Sequence, residues 1–337
     1  MTKTLGKRTY NLNNPPTVAA TAAVVGQKEG EGPLGRYFDS ISYDSYFGEK
    51  TWEKAESAML RQCFLTCCDK KNISPDEIQA IFSGDLLNQC VGSAFALKDF
   101  NVPYFGLYGA CSTMGESLAL AAMAIDGGFC DTVCAVTSSH FCSSERQYRF
   151  PLEYGGQRTP TSQWTVTGSG AAILCASGNG PYITHITPGI ITDAGIKDAN
   201  NMGSAMAPAA YSTLKAHFED TGRSPEYYDT IFTGDLGILG HDAVVDLFER
   251  DGISLGKHYT DCGIMIFDLK KQDVHAGGSG CGCSASVFAS YIMQGFERGL
   301  WSKILFAPTG ALMSPTSTQQ GESILGICHA ISIESAK

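Results

Sequence analysis

The chain reads as an α/β protein built from two copies of one unit. Three observations carry that reading. Short apolar runs alternate with helical patterns, one phrase occurs twice at one spacing, and a cysteine turn opens an apolar helix in each copy. The phrase is Ser74-Pro75-Asp76 leading to Ile81-Phe82-Ser83-Gly84-Asp85-Leu86, and again Ser224-Pro225-Glu226 leading to Ile231-Phe232-Thr233-Gly234-Asp235-Leu236. The cysteine turns are Gly109-Ala110-Cys111-Ser112 and Gly282-Cys283-Ser284. The distance from phrase to cysteine is greater in the second copy, which predicts an insertion there, around Asp242 to Asp261.

Taken in order, a polar tail precedes Thr17 to Gly26, a run of small apolar residues suited to a buried strand. Thr51 to Lys71 is predicted as a helix, because Trp52, Ala55, Met59, Cys63, Phe64 and Cys67 recur at three- and four-residue spacing. Ser74-Pro75 signals a helical start, and the run Ile78 to Leu86 reads as a strand. The helix after Cys111 leads to a strand at Thr132 to Thr137, and the first copy closes with paired strands in Gln163 to Ala176. The second copy supplies a strand at Lys303 to Pro308 and closes with Glu322 to Ile333. The join is predicted near Ser177 to Pro181, so the halves are 1–177 and 178–337.

Composition narrows the function classes. The 337 residues are 43 % hydrophobic and 17 % charged, ordinary for a soluble globular protein, and long enough for a sizeable core. A formal net charge of −10 argues against a nucleic-acid partner, which asks for a basic face. Met1 to Asn14 lacks the apolar core of a signal peptide, and no run reaches the roughly 18–20 apolar residues of a membrane span. The 13 cysteines therefore read as reduced, mostly buried thiols in a cytosolic setting. Cys281-Gly282-Cys283 is too tight for a zinc knuckle, so no metal and no cofactor are expected.

Cys111 is the candidate reactive group. Its expected place at a helix N-terminus would favour the thiolate, since free N–H groups and the macrodipole stabilise negative charge there. Small neighbours leave room for a ligand, but a buried structural cysteine also sits among small neighbours. Both readings stand on the local sequence.

The duplicated α/β units with a cysteine at a strand-to-helix turn resemble the thiolase fold of thiolases and β-ketoacyl-acyl-carrier-protein synthases. Gly168-Ser169-Gly170-Ala171-Ala172 is similar to that family's Gly-x-Gly-Ala segment. The resemblance implies two βαβαβαββ halves packed as a five-layer α-β-α-β-α sandwich, commonly as a homodimer joined along the first half's sheet edge, near Asn101 to Tyr108. Gly109-Ala110-Cys111-Ser112-Thr113, Thr137-Ser138-Ser139-His140, Tyr154-Gly155-Gly156-Gln157 and Thr161 to Gly168 resemble a narrower family, the stage V sporulation AD proteins. That resemblance implies a protein that binds dipicolinic acid, alone or as its calcium chelate, and supports its loading into the developing spore. Membrane proteins of the same transport system would be its partners. Its place would be the forespore cytoplasm, held peripherally at the inner membrane through them.

Against the condensing-enzyme pattern, the expected histidine falls at Gly234 and the expected asparagine at Cys283. Neither can serve as base or oxyanion donor. The chemistry thus reads as lost and Cys111 as a vestigial nucleophile. The alternative is an acyl transferase or condensing enzyme that pairs Cys111 with His275 or Asp235. A third reading is a scaffold that contacts partner proteins only. For a flat aromatic dianion the candidate contacts are Cys111, Ser112, Ser138, Ser139, His140, His275 and Cys283. Arg146, Arg149 and Arg158, in a stretch with Tyr148, Phe150 and Tyr154, are candidates for a carboxylate partner. No EF-hand-like loop is present, and Asp193 to Asp198 is too short for a calcium site.

Overall fold

The computed structural model describes residues 3–148 and 158–335. Its two halves repeat one topology. In the first half the strands run, in chain order, Thr17–Gly26, Ala80–Gly84, Tyr104–Gly106, Thr132–Ser139 and Gly168–Cys175. In the second they run Tyr182–Thr187, Thr230–Thr233, Tyr259–Asp261, Lys303–Ala307 and Ala330–Glu334. Across each sheet the spatial order is third, second, fourth, fifth, first, and in each the fifth strand is antiparallel to the fourth. The second strand is parallel to the third and fourth in both. The half-sheets meet edge to edge where Tyr182 pairs with Thr17.

Side-chain alternation along the strands divides the interior into three apolar layers. On the strand Lys303–Ala307, Ile304 and Phe306 enter the central layer while Leu305 and Ala307 enter the outer one. On Thr132–Ser139, Val133 and Ala135 face the centre, and Cys134 and Val136 face outward. The centre is filled by the helices Thr113–Asp126 and Cys281–Val287, the second continued by Phe288–Ile292. The outer layers are Trp52–Lys71 with Val91–Leu97 on one side, and Met202–Thr221 with Gly237–Arg250 on the other. This is the expected five-layer sandwich.

Local chemistry explains the element ends. Trp52–Lys71 starts where the Thr51 hydroxyl accepts from Lys54 N–H and stops at Asn72, which takes the left-handed conformation that asparagine tolerates. Ser74 and Glu77 form a reciprocal capping box at the first copy of the repeated phrase. Two expectations need correction. The strand from Thr132 runs on to Ser139 rather than ending at Thr137, so Ser138 and Ser139 point to opposite faces. The insertion lies mainly after the strand Tyr259–Asp261, since residues 242–250 belong to the helix Gly237–Arg250. Residues 262–280 form the extra excursion, and its end, Gly278–Ser279, pairs with Trp164–Thr165 of the first half.

Candidate functional site

Cys111 sits in a 3-10 turn, Ala110–Ser112, one turn ahead of the helix Thr113–Asp126. Ala110 holds φ +51°, an unusual value for a residue with a Cβ. The turn is tied by Ser112 Oγ donating to Gly109 O (2.7 Å) and Thr113 Oγ1 donating to Ala110 O (2.6 Å). The strand Thr309–Leu312 presses on it: a Cβ at Gly310 would stand 2.6 Å from Gly109 O, so only glycine fits there.

The second half supplies the thiol's polar neighbours. Cys111 Sγ lies 3.8 Å from Ser279 Oγ, and Ser279 Oγ donates to Asp235 Oδ2 at 2.9 Å. The same carboxylate accepts from Gly280 N–H (3.0 Å) and from Thr309 Oγ1 (3.0 Å). Asp235 is fully buried, and loss of solvation raises its pKa to about 6. Burial first, and the Asp235 carboxyl second, push the Cys111 thiol well above the ordinary thiol range. The expected thiolate at a helix N-terminus is therefore corrected. The dipole begins a turn later, and the nearest charge is a carboxylate, which disfavours a second anion.

The thiol faces a narrow slot of about 50 Å³ at the carboxyl ends of the first half's strands. Leu86, Met202, Ala311 and Met313 form its apolar walls. Ser144, Glu145, Tyr148, Thr165 and Ser279 supply polar groups. Tyr148 O–H donates to Leu86 O (2.6 Å), and Thr165 Oγ1 donates to Glu145 Oε1 (3.3 Å). Ser144 Oγ is buried and has no hydrogen-bond partner among the described residues, an orphan hydroxyl beside the slot.

The other predicted residues are dispersed. Ser112 is consumed by its own turn. Ser138 Oγ donates to Glu56 Oε1 (3.1 Å) on the outward face of the sheet. Ser139 Oγ faces inward but donates to Val166 O (2.7 Å) and accepts from Gly282 N–H (3.0 Å), which anchors the start of Cys281–Val287. His140 Nε2–H donates to Ser45 O (2.8 Å) in a separate groove. His275 is a partly exposed residue whose Nε2 lies 3.3 Å from Asp273 Oδ1. Cys283 Sγ is buried against Gly234 O (3.6 Å) in the central layer. Thus, of the seven, Cys111 alone lines the slot among the described residues, and the expectation that Ser138, Ser139 and His140 act together is corrected by strand alternation. Arg146 pairs with Glu53, and Arg158 lies over the Trp164 ring (4.7 Å). Arg149, Phe150 and Tyr154 lie outside the described residues.

Asp235, singled out as an unconventional neighbour of the thiol, is where that reading places it. Ser279, Ser144, Glu145 and Thr309 were missed. Ser279 had a signal, since Gly277-Gly278-Ser279-Gly280 lets backbone pass close to another segment. Ser144 and Glu145 had none, because their approach depends on where the helix Phe141–Tyr148 docks.

Repeated half-sheets, a central helix pair and a cysteine turn at their junction define a thiolase-like fold. Solved structures agree. The 3-oxoacyl-[acyl-carrier-protein] synthase III of Aquifex aeolicus matches with a TM-score of 0.57 at 12 % identity, over 95 % of this chain and 99 % of that one. An OleA variant of Xanthomonas campestris matches with a TM-score of 0.60 at 14 % identity, over 95 % and 98 %. The family is narrower than the fold. Residues 6–334 match the model of the stage V sporulation protein AD family, and the chain belongs to it. The stage V sporulation protein AD of Bacillus subtilis (strain 168) is 41 % identical over 334 residues, 99 % of this chain and 98 % of that protein.

Proposed function

We propose that this protein binds dipicolinic acid in the slot beside Cys111 and performs no acyl transfer there. One observation carries the reading: the thiol faces a buried carboxyl where a condensing enzyme needs a base and oxyanion donors. A protonated thiol is a poor nucleophile but a compact wall for a flat ring. The methionines Met202 and Met313 re-pack around a planar guest, and the orphan Ser144 hydroxyl offers a donor to a ligand carboxylate. Family membership supports a role in sporulation, and the dipicolinate assignment rests on the resemblance to that family together with the slot's chemistry.

The same reading includes uptake of the ligand, alone or as its calcium chelate, into the developing spore together with membrane proteins of the transport system. The protein would act in the forespore cytoplasm, at the inner membrane through those partners. No helix among the described residues is long and apolar enough to cross a membrane. A homodimer would use the edge strand Tyr104–Gly106, where Phe105 is 53 % and nearby Tyr108 48 % exposed.

Calorimetric titration of dipicolinate into the wild type, Ser144→Ala and Met313→Ala tests this directly. Saturable one-site binding that weakens in both variants is the expected outcome. Binding left intact by both would move the ligand elsewhere. The condensing-enzyme alternative draws on the fold and the retained cysteine. It predicts an added acyl mass on Cys111 after incubation with acyl-CoA, and an unchanged intact mass counts against it.

A further inference from the structure

A second groove, of about 320 Å³, lies beyond the helix Phe141–Tyr148 from the Cys111 slot. Its walls come from the short helix Gln27–Gly30, the turn after Ser40–Ser42, the start of Phe141–Tyr148, and Trp164. His140 lines it and is 1 % exposed. Because Nε2 donates to a carbonyl, Nδ1 is a bare acceptor in the neutral ring, and burial lowers this histidine's pKa. Nδ1 is buried with no hydrogen-bond partner among the described residues, so a strong acceptor waits for a donor.

The cationic part is independent of His140. Trp164 stacks on Phe141 with ring centroids 3.9 Å apart, and Lys28 Nζ stands 3.8 Å from the centroid of the same indole. Lys28 donates to Asp273 O at 3.3 Å, and none of the described carboxylates comes within ion-pair distance of it. The helix Phe141–Tyr148 starts at the groove, which Phe141 and Cys142 line, and Phe141 N–H is taken by Thr167 Oγ1. Nearby, Glu29 is buried and engaged with Thr167 N–H, with its pKa raised to about 7 by desolvation. Lys28, with Arg158 over the same indole at 4.7 Å, and the helix start favour an anion, while Glu29 and Glu31 in the groove wall disfavour a second negative charge on it.

We propose that this groove binds a small monocarboxylate bearing a hydroxyl or ammonium donor on the carbon next to its carboxyl group. The carboxylate meets Lys28 and the Cys142 amide, and the donor meets His140 Nδ1. The site is separate from the Cys111 slot, so its occupant is a second ligand and not a second pose of the first.

The test uses the full-length protein labelled with 5-fluorotryptophan, with the Trp164 resonance assigned by Trp164→Phe. Glycolate, glycine and acetate are titrated separately by fluorine NMR. Saturable movement of the Trp164 signal by glycolate or glycine, with acetate at least about tenfold weaker, is expected. The stronger of glycolate and glycine identifies the donor. Lys28→Met, a change at a partly exposed side chain, weakens binding about tenfold or more. His140→Phe, with its fold checked by circular dichroism, removes the preference over acetate. No saturable shift, equal binding of acetate, or binding that survives Lys28→Met overturns the proposal. If His140→Phe does not fold, the acetate comparison and Lys28→Met decide alone.

Discussion

The repeated phrase places an aspartate at the end of the second strand in each half, and the two aspartates do different work. Asp85 turns inward on its own loop. It accepts from Leu87 N–H (2.9 Å), Ser93 N–H (2.7 Å) and Ser93 Oγ (2.7 Å), closing the approach to the helix Val91–Leu97. In the second half that task belongs to Asp261, which accepts from Leu236, Gly237 and Gly263 N–H, each at 3.0 Å. Asp235 is thereby released from capping its own loop. It is held instead by Ser279, Gly280 and Thr309 of its own half, beside the thiol of the other half. Duplication supplied two equivalent carboxyls, and the residues after Tyr259–Asp261 let one change role.

Alanine at the two positions is the harshest test of that difference. Each substitution strands buried donors, so Asp85→Ala and Asp235→Ala should each cost about 3 kcal/mol in urea unfolding. The cysteine separates them. Asp235→Asn removes the negative neighbour of Cys111, so alkylation of that thiol at fixed pH should speed up severalfold, read by mass spectrometry of the Cys111 peptide. Asp85→Asn should leave that rate unchanged. Equal rates in the two variants would mean that the carboxyl opposite the thiol does not control it.

Proton linkage gives a second test of Asp235. Asp235 has a folded pKa of about 6, raised above its ordinary value of 3.8, and Glu29 about 7 against 4.5. A raised carboxyl pKa means the folded state holds a proton that the unfolded chain has released. Its contribution is present below the unfolded value and is lost as pH rises through the folded one. For Asp235 the window is pH 4 to 6 and the loss about 3 kcal/mol. The stability difference between wild type and Asp235→Asn should therefore move in favour of the variant by that amount between pH 4 and pH 7. A pH-independent difference would show that the donors around Asp235 offset its burial.

Much of the fold was legible because it rests on local rules. The helix Trp52–Lys71 announces itself by spacing and by Thr51, and the duplication by a phrase long enough to align. The site was less legible for two reasons. Ser138 and Ser139 looked like a pair at a strand end, but the strand continues through both and period-2 alternation sends them to opposite faces. Ser279 and Ser144 meet Cys111 only through packing between segments distant in the chain. Asp235 was reached because the repeat and the cysteine turn both pointed at that strand end.

The extra excursion offers the finest contrast, between its inner and outer ends. Ser279 is buried and touches both Cys111 and Asp235, whereas His275 is 30 % exposed at its side chain and lies beside an Asp273 that is 81 % exposed. Ser279→Ala takes one donor from a buried carboxylate and should cost about 1–2 kcal/mol, with a further rise in the Asp235 pKa. His275→Ala removes a solvent-screened polar contact and should change stability by less than about 0.5 kcal/mol. It should leave Cys111 alkylation and dipicolinate titration unaltered. A loss of ligand affinity in His275→Ala would place the ligand at the outer end of the excursion, and the contrast between its two ends would then reverse.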